Sequence, residues 1–476
     1  MLNWVHMCAP VISVIQEEIS NGELHEILDL VESRSFSQLR NELVDMNPAD
    51  IAEEMALIEE DKALIVVFRL LPKEQAAEVF SYLEPEDQQR IVEGISDKEL
   101  ASIVNDMFVD DAADFTEEMP ANIVRRVLAT ADPETRKAIN QILKYPDNSA
   151  GSLMTTELLR LKGEWNVAAA IQYVRHTCDE LASITYAFVT DESRHLTGVV
   201  SMKDVLAAKD DQLISEIMDD DVIYAKTLDD QAEVAETFKK YDIVSMPVVD
   251  GEDRLVGLIT IDDVVDVIEE ETTEDIYKMA AMAPIEDSYM STSVFTLARK
   301  RVVWLLVLMI SATFTGLIIT KFESMLTAVA ILTSFIPMLM DTCGNAGSQA
   351  SVSVIRALVL GEVKFSSMLK VIWKEFRVSI IVGICVAIVN FIRIVVCYYI
   401  GMYTLEPGQN IFLIAGVVSM TLVLAVICAK FVGCTLPLLA DKCKLDPALM
   451  ASPMITTIVD AVSLLVYFGI ASIVLL

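Results

Sequence analysis

Five stretches toward the C-terminus carry almost no charge, and they limit what this chain can become. Val302–Thr320, Met325–Met340, Val378–Ile392, Ile411–Ala429 and Pro453–Leu476 are uncharged, except that Asp460 interrupts the last. A helix needs roughly 20 apolar residues to cross the hydrocarbon core. At that depth the backbone must satisfy its own polar groups, which leaves helices as the form such runs take. The pattern predicts five transmembrane helices over residues 299–476.

The remainder is a different material. Residues 1–290 hold 62 acidic and 23 basic side chains, whereas 291–476 hold 8 and 13. Basic residues collect beside the first run (Arg299, Lys300, Arg301), between the second and third (Lys364, Lys370, Lys374, Arg377) and between the fourth and fifth (Lys442, Lys444). Short cytoplasmic loops gather such residues, so the N-terminus is expected in the cytoplasm and the C-terminus outside, in a multi-pass protein of the inner (cell) membrane. The opening MLNWVHMCAPVISVI lacks a basic n-region, so no cleavable signal is expected. The eight cysteines, Cys8 among them, show no C-x-x-C spacing and predict neither a zinc site nor a disulfide framework.

Two repeats organise the acidic part. From about Leu39 to Leu143, units such as LPKEQAAEVF, EPEDQQRIV and DPETRKAIN open with Pro or Asp and continue with acidic residues, which suits a helix N-terminus. Starts at Pro72, Pro85, Asp97, Asp110, Pro120 and Pro133 predict short helices stacked as a superhelix. A second repeat pairs RHLTGVVSMKDVL (Arg194–Leu206) with DRLVGLITIDDVV (Asp253–Val265), each a strand, a glycine, a strand and a helix start. It resembles a tandem pair of cystathionine-β-synthase-type (CBS) modules, and the resemblance makes ATP a candidate ligand of the pair. The fold class is therefore multidomain: an all-α superhelical N domain (1–145), α/β tandem CBS modules (146–267), an acidic connecting helix (268–298) and a five-helix transmembrane domain (299–476).

The connecting segment DDVVDVIEEETTEDIYKMAAM sets carboxylates on nearly every helical face, with no basic residue before Lys278. Like charges three or four residues apart repel. A solvated helix is the plain reading. The facing blocks are acidic too, so a hard divalent cation bound through carboxylate oxygens fits better. In the membrane part, Asp341 is expected roughly 24 Å along the second run and Asp460 roughly 10 Å from the inner boundary, at about 1.5 Å per residue. An intramembrane carboxylate normally faces a bundle interior or a water path. The nearest cations, Arg393 and Lys430, are expected near the boundaries, where both can snorkel. Asp341, Asn345, Ser348 and Gln349 supply oxygen donors around a glycine-rich turn, a set that suits Mg²⁺ over zinc or copper.

At PMLMDTCGNAGSQAS, VIEEETTEDIYKMA and LDPALMASPMITTIVDAVSLLVYF the chain resembles the MgtE family of magnesium channels and transporters, in order over nearly its whole length. The resemblance implies a homodimer in the lipid bilayer, its pore on the two-fold axis, with Asp460 of both subunits holding a largely hydrated Mg²⁺. It implies that Asn345 and the backbone near Asp341 line that pore. On matching positions, Asp263, Glu271, Glu274 and Asp275, with Asp242, would form a cytoplasmic Mg²⁺ sensor that closes the pore when internal Mg²⁺ is high. Mn²⁺ and Co²⁺ would act as mimics. Cys343 and Ser463 stand where the family has glycine. A CBS-regulated anion channel and a membrane-anchored divalent-cation sensor are the alternatives. No enzyme is expected, since the soluble part shows no nucleophile with a base, no phosphate loop and no zinc spacing, and no nucleic-acid partner is expected.

Overall fold

Short helices recur along the first half of the chain because the same start signal recurs. In this computed structural model, which describes residues 27, 30–31, 33, 35–178, 181–285, 289, 292–405, 409–450 and 452–475, α1 spans Phe36–Asp45. It is followed by α2 (Pro48–Ala56), α3 (Asp61–Leu70), α4 (Lys73–Ser81), α5 (Pro85–Gly94), α6 (Asp97–Asp106), α7 (Val109–Glu118), α8 (Ala121–Thr130) and α9 (Pro133–Ile142). The starts expected from sequence agree to within one residue. Pro48, Pro85 and Pro133 each occupy the first helical position, where their missing N–H costs nothing. Ser96 and Glu99 close a capping box at the start of α6. Alternate helices pack together, α1 on α3, α2 on α4, α3 on α5, α4 on α6, α6 on α8 and α7 on α9, as a superhelix requires. The opening segment and Cys8 lie outside the described residues.

The second repeat folds twice in the same way. β1 (Leu158–Lys162), α10 (Val167–Thr177), β2 (Ser183–Thr190), β3 (Leu196–Ser201), α11 (Met202–Ala207) and α12 (Ile214–Ile217) make one module. β4 (Ala225–Lys226), α13 (Gln231–Tyr241), β5 (Ser245–Val249) and β6 (Leu255–Thr260) make the other. In each sheet the first strand pairs parallel with the second and the second antiparallel with the third. Phe188, Leu255 and Leu258 form one apolar cluster drawn from both modules. β6 runs directly into α14 (Ile261–Met279). The chain divides into two compact units, Met1–Ile268 and Glu269–Leu476, with the division inside α14.

The second unit contains α15 (Val294–Lys321), α16 (Glu323–Ala328), α17 (Ile336–Val359), α18 (Met368–Tyr399), α19 (Ile411–Lys442) and α20 (Ser452–Leu475). Four helical segments among the described residues, not five, are long and apolar enough to cross a membrane: Val294–Lys321, Phe365–Tyr399, Ile411–Lys442 and Pro447–Leu475. The exception is the second expected span. Its run Met325–Met340 breaks into α16, a 3₁₀ stretch over Ala330–Phe335 and the first turn of α17, so it is not one straight helix. The 3₁₀ stretch offers the Leu332 carbonyl to the buried Tyr467 hydroxyl of α20, at 2.9 Å. The depth expected for Asp341 assumed regular helix from Met325 and falls with that break. α19 is the central helix, packed against α17, α18 and α20.

Candidate functional site

The glycines of GNAGS were expected to turn the chain, but α17 continues through them without interruption. They act by close approach. A Cβ on Gly344 would stand 2.9 Å from Thr456 Cγ2, and one on Gly433 of α19 would stand within 2.2 Å of the Gly347 carbonyl oxygen. α17 and α19 therefore meet backbone to backbone at this level, and the Thr456 side chain of α20 closes on Gly344. Cys343, Gly344, Ala346, Gly347 and Ala350 are buried in the contact. Asp341, Asn345 and Gln349, spaced four apart, are left on one exposed stripe. Asn345 Nδ2 donates to Asp341 Oδ1 at 3.3 Å along that stripe.

Asp460 faces the same region from α20. It is half-buried, and Asp341 lies close enough for its charge to act on it. Asp460 Oδ1 is shielded from solvent and accepts no hydrogen bond among the described residues. A desolvated carboxylate oxygen without a donor is costly, so the geometry asks for a proton, an ordered water or a cation there. Ser463, fully buried, donates its hydroxyl to the Asp460 carbonyl at 2.9 Å, and Cys343 turns its side chain into the core.

Lys430 does not snorkel. It is 5% exposed on α19, with Nζ 3.4 Å from Glu375 Oε2 of α18. Its position on the central helix gives the side chain no route to the surface, and the carboxylate of the neighbouring helix neutralises it in place.

Of the sensor residues expected from sequence, Asp242 and Asp263 belong to the first unit and Glu271, Glu274 and Asp275 to the second. Asp263, in the first turn of α14, accepts from Thr260 Oγ1 at 2.6 Å. Burial, and then the Asp110 charge, push its carboxyl up to about 7 against those hydrogen bonds. Asp242 stands exposed after α13 in the left-handed region, φ 53°. Glu274 Oε1 and Asp446 Oδ2 hold Lys278 Nζ at 2.8 and 2.7 Å. Burial works against the Lys278 charge, but these two partners outweigh it and hold the ammonium above its ordinary range. Burial, and then Asp446, raise the Asp275 carboxyl, opposed by Lys278. Glu271 lies on the same helix, half-buried.

The partners of Asp263 could not be read from sequence, because acids recur in nearly every unit of the N domain. Here α7 supplies Asp110, Asp111 and Asp114, and the segment before β1 supplies Glu157. Burial, followed by Asp111, pushes Asp110 up to about 7, and burial, followed by Asp263 and Asp262, pushes Asp111 up to about 6. Asp114 shifts the same way, although its side chain still reaches solvent at the edge of the group. Glu157 rises through burial while accepting from the Val109 N–H at 3.2 Å. The charges that act most on Asp110, Asp111, Asp114 and Asp263 are all carboxylates. Asp110 Oδ1 is buried without a hydrogen-bond donor among the described residues. No three acidic, His or Cys side chains among the described residues already stand at metal-ligating spacing.

The chain is 35% identical to the magnesium transporter MgtE of Thermus thermophilus over 465 residues, covering 96% of this chain and 99% of that protein. This chain belongs to the MgtE family of divalent cation transporters. The MgtE of Bacillus subtilis is 31% identical, over 94% of this chain and 96% of its own. Family profiles match residues 46–148 as the MgtE intracellular N domain, 150–211 and 214–270 as CBS domains, and 336–470 as the MgtE divalent cation transporter region. A solved cytosolic domain of the Mg²⁺ channel MgtE in complex with ATP is 32% identical, covering 51% of this chain and 99% of its own, with a TM-score of 0.49. With its apolar helices, this MgtE protein is a multi-pass membrane protein.

Proposed function

We propose that the protein is a Mg²⁺ channel whose conduction path passes Asp460 and whose opening is controlled by cytoplasmic Mg²⁺. Both relatives bear the name magnesium transporter. The observation that carries the reading is the donorless Asp460 oxygen beside the exposed stripe of Asp341, Asn345 and Gln349. One carboxylate with amide and carboxylate oxygens nearby suits Mg²⁺, which keeps most of its waters and takes few protein ligands. In a homodimer two copies of Asp460 would face one ion, and Mn²⁺ and Co²⁺ would mimic it. The N-terminus would lie in the cytoplasm and the C-terminus outside.

Control would come from the carboxylates that lack an internal cation. Asp110, Asp111, Asp114, Glu157 and Asp263 crowd together at a cost that a divalent ion would relieve, drawing α7 toward α14. Glu271, Glu274, Asp275 and Asp242 would add ligands from elsewhere in the sensor, and ATP would bind the CBS pair. High Mg²⁺ would close the pore and low Mg²⁺ would let the acids repel and open it.

The test is Mg²⁺ influx into proteoliposomes. Wild type should conduct, the isosteric Asp460→Asn should not, and Asp263→Asn should need more cytoplasmic-side Mg²⁺ to close. A folded wild type without influx would sink conduction and leave a membrane-anchored sensor. Chloride flux in its place would favour the anion channel. Unchanged closure in Asp263→Asn would remove that residue from gating.

A further inference from the structure

Helix α18 opens with a set of bases that its own geometry sorts onto one side. Lys370, Lys374 and Arg377 follow one another at helical spacing, and Trp373 stands beside them. At about 100° per residue these four side chains fall within one sector of the helix roughly 100° wide. All four are exposed, Trp373 by 59%. Trp373 stacks on Phe376, with ring centroids 5.7 Å apart and planes 21° from parallel.

The one acid of α18 is turned away from this stripe. Glu375 lies toward the opposite side, the side of the buried Ser379, Gly383 and Asn390, where its carboxylate meets Lys430 Nζ of α19 at 3.4 Å. None of Lys370, Lys374 and Arg377 makes an ion pair with a described residue. Like charges three or four residues apart on a helix repel. The stripe therefore asks for an anion from outside the chain.

The rest of the same face says what kind of anion. The sector continues as Ile381, Ile384 and Ile388, all exposed and all within the uncharged run Val378–Ile392. At about 1.5 Å per residue the bases occupy about 10 Å of the helix, and the isoleucines a similar length beyond them. Tryptophan is enriched where hydrocarbon meets water, and lysine and arginine there lay their stems on apolar surface and send their charge toward the headgroups. The start of α15 makes the contrast. Its bases Arg299, Lys300 and Arg301 are consecutive, so they point about 100° apart, and Lys300 Nζ donates to the Pro284 carbonyl. A run of bases alone does not make such a stripe.

We propose that this face of α18 binds an anionic phospholipid, its phosphate held by Lys370, Lys374 and Arg377, with Trp373 beside the headgroup and the acyl chains along Ile381, Ile384 and Ile388. Guanidinium and ammonium groups form charge-assisted hydrogen bonds to phosphate oxygens. An anionic amphiphile matches both halves of the face in the order in which they occur. A free phosphate would match only the first half, and an acidic peptide would leave the isoleucines uncovered. The inference needs α18 to span a membrane, for which it is long and apolar enough, and does not depend on ion conduction.

Quenching of tryptophan fluorescence by lipids brominated on their acyl chains tests it, with the full chain in mixed bilayers of phosphatidylglycerol and phosphatidylcholine. The chain holds four tryptophans, so the Trp373 signal is the difference between wild type and Trp373→Phe. Brominated phosphatidylglycerol should quench it with a relative association constant about fivefold or more above that of brominated phosphatidylcholine. Lys370→Gln, Lys374→Gln and Arg377→Gln together should bring the two lipids level, and added salt should narrow the gap in wild type. If the triple variant fails to insert, Lys374→Gln alone should still lower the preference by about twofold or more. Equal quenching by the two lipids in wild type overturns the site, as does a preference that survives loss of all three cations. Displacement of the lipid by dissolved inorganic phosphate, but not by chloride at the same ionic strength, would make the stripe a free-phosphate site and overturn the lipid as its ligand.

Discussion

Carboxylates are crowded in both units of the molecule, and two of the crowded groups are treated differently. In the second unit Glu375 has Lys430, and Glu274 and Asp446 share Lys278. In the first unit Asp110, Asp111, Asp114 and Asp263 act chiefly on one another, and none of them forms an ion pair with a described residue. A protein that needs only stability can neutralise a buried acid with a side chain of its own. Where it does not, the acid is left to a proton or to an ion from outside. By that criterion Asp460 belongs with the first unit's cluster, although it lies in a membrane helix.

The largest test of this contrast is Lys430→Met. It leaves the half-buried Glu375, its side chain 16% exposed, without its cation, which costs about 3–5 kcal/mol for pairs largely removed from water. Thermal melts should show the loss, and adding Glu375→Gln should recover most of it. A cost below about 1 kcal/mol would mean the pair behaves like a surface one and the contrast fails.

Asp110→Asn is next and has the opposite sign. The Asp110 carboxyl rises from 3.8 to about 7 in the folded chain, so its contribution to stability is complete below about pH 4 and is lost as pH climbs through 7. In chelator at about pH 8 the amide should therefore stabilise the protein, by on the order of 2–4 kcal/mol at 1.36 kcal/mol per pKa unit, and flatten the melting temperature between about pH 4 and 7. It should also reduce the stabilisation that added Mg²⁺ gives wild type. A destabilised Asp110→Asn with the Mg²⁺ response intact would show that the crowding has some other compensation.

Lys278→Met is the smallest and the sharpest. Its partners are partly exposed, at 37% and 30%, so the loss should be only about 1 kcal/mol. With the internal cation gone, Glu274, Asp275 and Asp446 should acquire a Mg²⁺-dependent rise in melting temperature that wild type lacks at that site. Absence of that gain would separate the presence of an internal lysine from the need for an external ion.

The sequence determined what depends on local chemistry and composition. The helix starts of the N domain were legible to one residue because proline and acidic residues act within a single turn. The two strand-and-helix modules were legible because the pattern occurs twice, and the membrane part because long uncharged runs have few alternatives. Asp460 was legible as the lone charge in its run. Tertiary structure alone decided what depends on which helix faces which. It broke the second run at Ala330–Phe335, where the Leu332 carbonyl takes Tyr467 as its donor, and it kept α17 helical through glycines that serve close packing. It placed Lys430 on the central helix beside Glu375, and from many similar acids it chose Asp110, Asp111 and Asp114 to meet Asp263. Charge type is written residue by residue. Desolvation and the distance between charges exist only once segments far apart in sequence have packed.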